Sequence, residues 1–319
     1  MKAILKGKNK KLHVPAIVPI IVSYIILCVI IAVLSPNFLT VRNILNIGQF
    51  SSMMGVAAVG VTFVIVSGGI DISVGAIMGL TCMTIAKIIP KSGFVIPFIL
   101  IGIGVGLACG AVNGIAITFG KVTPLIATLA TMSIFRGFAF IWNNGVSMPI
   151  SNKEFGILGR GSVGEIPVSL IVMILIVVIF SLVMKYTTFG RKVYSIGGNT
   201  RASYLSGINV KATRFLVYLI SGGLAGLAGA MLTSQIGAGV ANGGTGYEMD
   251  VIAAVILGGT SLTGGKGNIV GSFIGVLILV TLNNGMNLLG VQAFWQMVAK
   301  GLVLMLAVVL DVKRTGGYE

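Results

Sequence analysis

The residue in this sequence best suited to chemistry in apolar surroundings is one carboxylate, Asp71. It lies in the stretch VIVSGGIDISVGAIMG at residues 64–79 and is the only acidic residue before Glu154. A carboxylate at membrane depth costs about 2.5–3.5 kcal/mol on insertion scales, so we expect neighbouring groups to compensate for that cost. Ser73 and the glycines of this stretch are poor helix formers that supply a hydroxyl group and accessible backbone groups. We therefore predict that Asp71 and Ser73 line a solute path.

The same stretch predicts a helix that is broken between Gly68 and Asp71. A break frees peptide groups, and a bilayer tolerates free peptide groups only against protein or a water-filled cavity. In the alternative interpretation, Asp71 caps a helix at the cytoplasmic interface and Gly68-Gly69 forms a tight turn. The sequence leaves these two depths open.

The composition is that of a membrane protein with little mass outside the bilayer. Of the 319 residues, 56% are hydrophobic and 9% are charged, whereas a soluble globular protein has about 25% charged residues. The net charge of +15 does not indicate nucleic-acid binding, because the basic residues fall in short loops between apolar runs, where they orient helices. The single histidine, His13, argues against a histidine-based metal site, and no metal site is expected.

The apolar runs predict an all-α polytopic membrane protein of about ten transmembrane helices, with both termini cytoplasmic, in a single domain over residues 1–319. The basic segment 1–13 precedes the first span, and an excess of lysine and arginine in the loops assigned to the cytoplasm supports this orientation. The second and third spans would also fit a re-entrant hairpin. The predicted spans are 14–34, 48–66, 70–89, 94–118, 122–142, 166–184, 213–233, 248–263, 268–289 and 294–311.

Two of these spans carry glycines at helical spacing. Gly102, Gly106, Gly110 and Gly114 recur every four residues, and a second glycine-rich run occupies residues 222–229. Glycines at this spacing share one helix face and let another helix approach closely. We predict that both runs serve helix packing and do not bind a ligand.

One other glycine-rich stretch, TSLTGGKG at residues 260–267, imitates a phosphate-binding loop. Thr260 stands where that loop needs its first glycine, and Gly267 follows the lysine where serine or threonine is needed. We therefore expect no nucleotide site in this chain.

Two basic residues, Arg136 and Lys300, fall within predicted spans. Each is followed by a glycine and lies 25–26 residues after another glycine, which suggests two inverted five-helix halves. A cation inside the membrane needs a partner. Asp71 is the candidate partner of Arg136.

Two loops are long enough to contact soluble partners. The predicted external loop at 143–167 fits either a contact surface or a merely solvated loop. The predicted cytoplasmic loop at 185–214 has six basic residues and no acidic one, and it contains a predicted short helix at 200–205 that Asn199 or Thr200 could cap. Such a helix suits docking into a groove on a cytoplasmic protein. The alternative is a membrane-surface loop attracted to anionic lipid.

Four stretches of the sequence together resemble the permease subunits of bacterial ABC importers of the ribose/galactoside, or monosaccharide, class. They are spread over most of the chain after Thr40. The stretches are SGGIDISVGAIMGL at 67–80, NGIAITFGKVTPLIATLATM at 113–132, GRKVYSIGGNTRASYLSGINV at 190–210 and AAVILGGTSLTGGKGNIVGSFIGVLI at 253–278.

The resemblance implies a multi-pass permease of the bacterial inner (plasma) membrane that forms the path for ribose or a related monosaccharide and is not itself an enzyme. It implies a second permease copy, as a homodimer, an extracytoplasmic sugar-binding protein, and cytoplasmic ABC ATPase subunits on separate chains. These ATPase subunits would bind ATP and Mg, so that this chain would hold no cofactor.

The resemblance also implies that residues 190–210 hold a coupling helix that contacts the ATPase, in agreement with the docking interpretation. These residues lie within the cytoplasmic coupling loop 185–214. The predicted coupling residues are Gly190, Arg191, Lys192, Gly197, Gly198, Asn199, Arg201, Ser206 and Gly207.

A path for a neutral, hydroxyl-rich sugar needs amide and hydroxyl groups with apolar wall between them. For any one asparagine, an interhelical hydrogen bond, worth about 0.6 kcal/mol on average, is the alternative role. The predicted path residues are Asp71, Ser73, Asn113, Thr118, Asn242, Asn283, Asn284 and Asn287.

Other functions also fit the sequence. A branched-chain amino-acid or nucleoside permease of the same importer class shares the general pattern, although an amino-acid path should present more fixed charge. An ion-coupled secondary carrier would need an acid inside the membrane, and Asp71 is the one good candidate.

Overall fold

The computed structural model describes residues 17–89 and 96–315, and this part of the chain is mostly helical. The described part also contains two short antiparallel ladders. Strand β1 (Met148–Pro149) pairs with β4 (Ala238–Gly239), and β2 (Ser162–Val163) pairs with β3 (Ile166–Pro167). The helices of the described part are α1 Ile17–Leu34, α2 Val41–Val66, α3 Val74–Ile88, α4 Ile96–Thr118, α5 Pro124–Ile141, α6 Gly156–Arg160, α7 Val168–Tyr186, α8 Thr188–Gly198, α9 Thr200–Leu205, α10 Val210–Ile236, α11 Tyr247–Leu257, α12 Ile269–Leu288 and α13 Ala293–Thr315.

Seven helices of the described part are long and apolar enough to cross a membrane: α1, α2, α4, α5, α7, α10 and α12. This confirms an all-α polytopic membrane protein. Each of the ten predicted spans overlaps one helix, but the count of ten crossings stays a prediction. The predicted span 248–263 is helical only in α11, whose 11 residues rise about 16 Å, roughly half the thickness of a bilayer core. The basic segment 1–13 lies outside the described residues.

Helices α2 and α10 form the centre of the bundle. In their most apolar stretches 89% and 78% of residues are buried, against 11% in α1. Helix α4 packs along α10, while α7 and α12 pack on α2. We call the end of the bundle that carries α8 and α9 the inner end, and the end that carries α6 the outer end.

The glycine faces are the contact between α4 and α10. A Cβ on Gly106 would overlap the carbonyl oxygen of Gly222, and a Cβ on Gly222 would overlap that of Gly106. Gly110 lies in the same way against the Tyr218 carbonyl oxygen, and Gly226 against that of Gly102. The predicted packing role of these glycines is therefore confirmed.

The predicted break between Gly68 and Asp71 is confirmed as well. Helix α2 ends at Val66, and Gly68 takes the left-handed conformation (φ +80°) that reverses the chain. The N–H of Gly69 returns to the Val64 carbonyl oxygen at 2.9 Å, so the helix end keeps its hydrogen bonds. Helix α3 starts only at Val74.

A second break follows α10 at the outer end. Residues 237–246 carry only the short strand β4, and Gly239 packs against Cys82 of α3. Further along, Glu248 in the first turn of α11 lies so close to α3 that a Cβ on Gly75 would overlap its carboxylate. Gly75 is near the start of α3, so the 237–246 segment runs back into the bundle and α11 begins inside it.

A substitution at the α4–α10 contact tests this packing. Gly106→Ala places a methyl group against the backbone of Gly222, and that backbone can move only if helix α10 moves with it. The substitution should therefore lower the free energy of unfolding by about 1–3 kcal/mol. The matched control is Gly104→Ala on the same helix, where a Cβ meets nothing within 4 Å. We expect the control to leave the thermal stability of the purified protein unchanged or slightly raised, because alanine favours the helix. Equal stability of the two variants would contradict the packing assignment.

Candidate functional site

The carboxylate of Asp71 is fully enclosed and accepts three hydrogen bonds. Its Oδ1 accepts from the Ser73 N–H at 3.0 Å and from the Ser73 hydroxyl at 2.6 Å, and its Oδ2 accepts from the Ser221 hydroxyl at 2.8 Å. Asp71 is only 1% exposed. Ser221 lies 11 residues into α10, about 16 Å from its inner end. The carboxylate therefore lies inside the bundle, which favours the deeper of the two placements that the sequence left open.

The hydrogen bonds continue from Ser73 into two more helices. Asn113 on α4 donates through Nδ2 to the Ser73 hydroxyl oxygen at 2.8 Å, and its Oδ1 accepts from the Thr131 hydroxyl on α5 at 2.6 Å. All of these side chains are buried. We call Asp71, Ser73, Asn113, Thr131 and Ser221 the buried polar network, since it joins the α2–α3 break to α4, α5 and α10.

Three predicted path residues thus meet in the network, while Thr131 and Ser221 were missed. Serine and threonine are frequent in these spans and usually bond to their own helix, so nothing in the sequence marks these two. Within one chain, Asp71, Ser73 and Asn113 make the interhelical hydrogen bonds that the sequence offered as the alternative role. Their place along a solute path stays a prediction.

Two other predicted path residues form no hydrogen bond with the network. The Thr118 hydroxyl donates to the Gly114 carbonyl of its own helix at 2.6 Å, beside a cavity of about 330 Å³ at the inner end that Lys121 and Arg214 also line. Asn242 is exposed in the 237–246 segment near the outer end. The structure does not bring these two residues together.

The three asparagines of α12 have separate surroundings. Asn284 exchanges two hydrogen bonds with Asn43 of α2, at 2.8 and 3.0 Å. Asn287 accepts from Gln296 of α13 at 2.8 Å. The buried Oδ1 of Asn283 has no hydrogen-bond partner among the residues that the structure describes.

The predicted pairing of Arg136 with Asp71 is wrong. The Arg136 guanidinium donates to the carbonyl oxygens of Ala241 and Gly243, at 2.9 and 2.8 Å. Gly79 makes room for this arrangement, because a Cβ there would lie 2.6 Å from the guanidinium and 2.8 Å from both oxygens. Arg136 therefore faces α3 at Gly79 and holds the non-helical 237–246 segment against α5.

Lys300, the second cation within a predicted span, has a carboxylate partner. Its Nζ lies 2.7 Å from Oδ2 of Asp250, which α11 brings to α13. The pair lines a cavity of about 410 Å³, together with Thr245 and Met249. The sequence placed Asp250 at an external span edge, whereas the inward course of the 237–246 segment sets it beside Lys300.

The predicted external loop 143–167 is folded onto the bundle and not merely solvated. Phe155 and Leu158 are buried, and the Gly159 N–H donates to the Ser234 hydroxyl at 2.8 Å. That hydroxyl in turn donates to the Phe155 carbonyl oxygen. A contact between this loop and a soluble partner stays a prediction.

The predicted cytoplasmic loop 185–214 contains two helices at the inner end. The predicted helix 200–205 is confirmed as α9, and Asn199 caps it by accepting from the Ala202 N–H at 2.9 Å. Helix α8 precedes it, and Gly190, predicted as a turn, lies inside its first turn.

The predicted coupling residues divide into buried and exposed positions. Gly190 packs on the backbone of Met184, and Gly197 packs on the Val66 carbonyl at the end of α2. The Gly265 N–H also donates to that carbonyl oxygen, at 2.8 Å. The exposed positions are Arg191, Lys192, Gly198, Asn199, Arg201, Ser206 and Gly207.

Two apolar side chains on α9 were not among the predicted coupling residues. Tyr204 is 70% exposed and Leu205 is 77% exposed. Both follow Arg201 on the same short helix. A large apolar pair with a basic flank, standing out from the inner end, is the kind of surface that a protein groove can bury.

Comparisons with known proteins match almost the whole chain. Residues 43–308 match the family described as branched-chain amino acid transport system / permease component. The chain is 44% identical over 318 residues to the ribose import permease protein RbsC of Bacillus subtilis (strain 168), covering 98% of each chain. It is 41% identical to the RbsC protein of Escherichia coli (strain K12), covering 92% of this chain and 93% of the relative.

A third relative is named for another sugar. The chain is 37% identical over 291 residues to the L-arabinose transport system permease protein AraH of Escherichia coli (strain K12), covering 91% of this chain and 89% of the relative. No solved structure matches the chain significantly.

Substitutions at Asp71 separate the need for its hydrogen bonds from the need for its charge. In Asp71→Asn, the amide oxygen still accepts from Ser73 and the amide N–H₂ can donate to Ser221, so the thermal stability should stay close to that of the parent. Asp71→Ala leaves several buried donors unpaired and should cost about 1–3 kcal/mol. The control is Ser133→Ala, whose hydroxyl bonds only within α5. Equal damage from Asp71→Asn and Asp71→Ala would contradict this account.

Hydrogen exchange tests the contact between Arg136 and the 237–246 segment. Arg136→Gln removes two charge-assisted hydrogen bonds, so exchange in this segment should rise roughly tenfold or more. Lys153→Gln, which removes an exposed cation at the same end, should leave the segment protected. The double variant Asp71→Arg/Arg136→Asp should not restore protection of this segment. Restored protection would show that Asp71 is the partner of Arg136.

Proposed function

This chain belongs to the permease-component family matched above, and we propose that it is the membrane-spanning subunit of an ATP-driven importer of ribose or a related monosaccharide. The observation that carries the proposal is similarity along the full length to permeases named for ribose. The branched-chain amino-acid alternative rests on the family's description, whereas the relatives named above are sugar permeases. The fixed charges Lys300 and Asp250 also neutralise each other.

We propose that α9 docks into a groove on a separate cytoplasmic ATPase subunit. The chain has no complete phosphate-binding motif, so ATP and Mg would be bound by that subunit. Tyr204 and Leu205 would supply the buried apolar contact, and Lys192 and Arg201 the charged rim. Further expected partners are an extracytoplasmic sugar-binding protein and a second copy of this chain.

We propose that movement of α8 reaches the solute path through the break after α2. Gly197 of α8 touches the Val66 carbonyl, and the chain runs from there through residues 67–73 into the buried polar network. Breaks at membrane depth are where transporter helices change direction around a solute. In this proposal Asp71, Ser73 and Asn113 hold the path's helices in register, while the amides of Asn242 and Asn287, exposed in the single chain, contact sugar hydroxyls.

A reconstituted system tests this function. The tagged chain is purified from native membranes together with its partners, and the ATPase activity of the co-purified complex is measured in liposomes with and without sugar-loaded binding protein. The double variant Tyr204→Ala/Leu205→Ala should weaken ATPase binding about 30-fold, as expected for loss of an apolar hot spot. Ile157→Ala, an exposed apolar residue on the external α6, should leave ATPase binding unchanged.

The same preparation distinguishes the alternatives. Stimulation by ribose-loaded binding protein, and less by other sugars, would identify the solute. Solute uptake driven by an ion gradient without ATP, abolished by Asp71→Asn, would overturn the importer proposal in favour of a secondary carrier.

A further inference from the structure

A cleft opens at the inner end between α1, α7, α8 and the start of α12. Its volume is about 510 Å³. Ile17, Met184 and Ile269 form apolar walls, while Lys185 and Arg191 line it as well. The cleft is separate from the buried polar network and from the exposed tip of α9.

The two cations of the cleft have no anionic partner among the residues that the structure describes. The sequence has no acidic residue between Glu165 and Glu248, and neither cation forms an ion pair with any described residue. Lys185 Nζ lies 5.1 Å from the centroid of the Tyr186 ring, and Arg191 donates weakly to the Tyr186 carbonyl oxygen at 3.4 Å. Both charges therefore remain available to an anion. Helix α12 begins beside them and adds the partial positive charge of its N-terminus.

The walls of the cleft continue into surfaces that suit acyl chains. Ile21 of α1 and Leu182 of α7 are exposed apolar residues one turn or less from the cleft. The Ser181 hydroxyl also lines the cleft; it is buried and has no hydrogen-bond partner among the described residues. A buried hydroxyl without a partner is unfavourable, and a polar ligand group would supply the missing hydrogen bond.

We propose that this cleft binds an anionic phospholipid of the inner leaflet. The phosphate group lies between Lys185 and Arg191, an ester carbonyl accepts the hydrogen bond of Ser181, and the first part of an acyl chain covers Ile17 and Ile269. Basic pockets between membrane helices on the cytoplasmic side commonly take anionic headgroups. The bound lipid ties α8, which leads into α9, to α1, α7 and α12. This site does not depend on which solute the protein carries.

The test measures lipid retention by the full-length chain. The protein is placed in nanodiscs of phosphatidylcholine containing a small fraction of spin-labelled phosphatidylglycerol, and the immobilised fraction is titrated. Lys185→Gln/Arg191→Gln should weaken binding about 30-fold, since each basic residue near an anionic surface contributes about fivefold. Lys192→Gln/Lys211→Gln removes the same charge from exposed positions outside the cleft and should change binding much less. Ser181→Phe fills the cleft without changing charge and should also release the lipid.

Two results would overturn the proposal. If the cleft variant and the control lose lipid equally, attraction to the general surface charge explains the binding. If inorganic phosphate, or the headgroup glycerophosphoglycerol without acyl chains, binds as tightly as the lipid, the cleft is an anion site and not a lipid site. Thermal stability of each variant in phosphatidylcholine alone shows whether a loss of lipid reflects a loss of fold.

Discussion

Backbone groups that leave a helix inside this bundle must find partners in the protein, because lipid offers none. After α2, the Val66 carbonyl accepts from Gly265, and the N–H of Ser73 donates to Asp71. After α10, the carbonyls of the 237–246 segment accept from Arg136. The sequence suggested Asp71 and Arg136 as partners of each other. Each instead bonds to backbone groups that a break sets free: Asp71 accepts from an N–H, and Arg136 donates to carbonyl oxygens.

This requirement explains the placement of several glycines. Gly79 leaves space for the Arg136 guanidinium, and Gly197 lets α8 touch the end of α2. Along α4 and α10, glycines bring two backbones into contact without any polar side chain. Small residues thus have two uses in this membrane protein. They let helices pack closely, and they leave space for polar groups that bond to the free backbone of a break.

The inner end connects a proposed ATPase surface to the helix break by direct contacts. Helix α9 carries exposed apolar residues, α8 follows the lipid-facing helix α7, and Gly197 of α8 rests on the last carbonyl of α2. The outer end is different, since its break is held by Arg136 and by the ion pair of Lys300 with Asp250. Different contacts therefore stabilise the two ends, as would suit a path that opens alternately to the two sides.

The sequence by itself determined the features that depend on local spacing or composition. These include the membrane class, the break between Gly68 and Asp71, the packing glycines and the α9 helix, for which Asn199 was one of two candidate caps. Each follows from propensity, capping chemistry or helical period within a few residues. The resemblance to sugar permeases, over most of the chain after Thr40, was visible from motifs of the same local kind.

Only the tertiary structure decided which polar side chains meet. Ser221 is 150 residues from Asp71, and Arg136 is 105 residues from Ala241. Helical spacing says which residues share a face, but the rotation of each helix about its axis is fixed by its neighbours. For the same reason Asn284 turns to Asn43 while Asn287 turns to Gln296. The inward course of residues 237–246, which creates the pair of Asp250 with Lys300, also depends on partners distant in sequence.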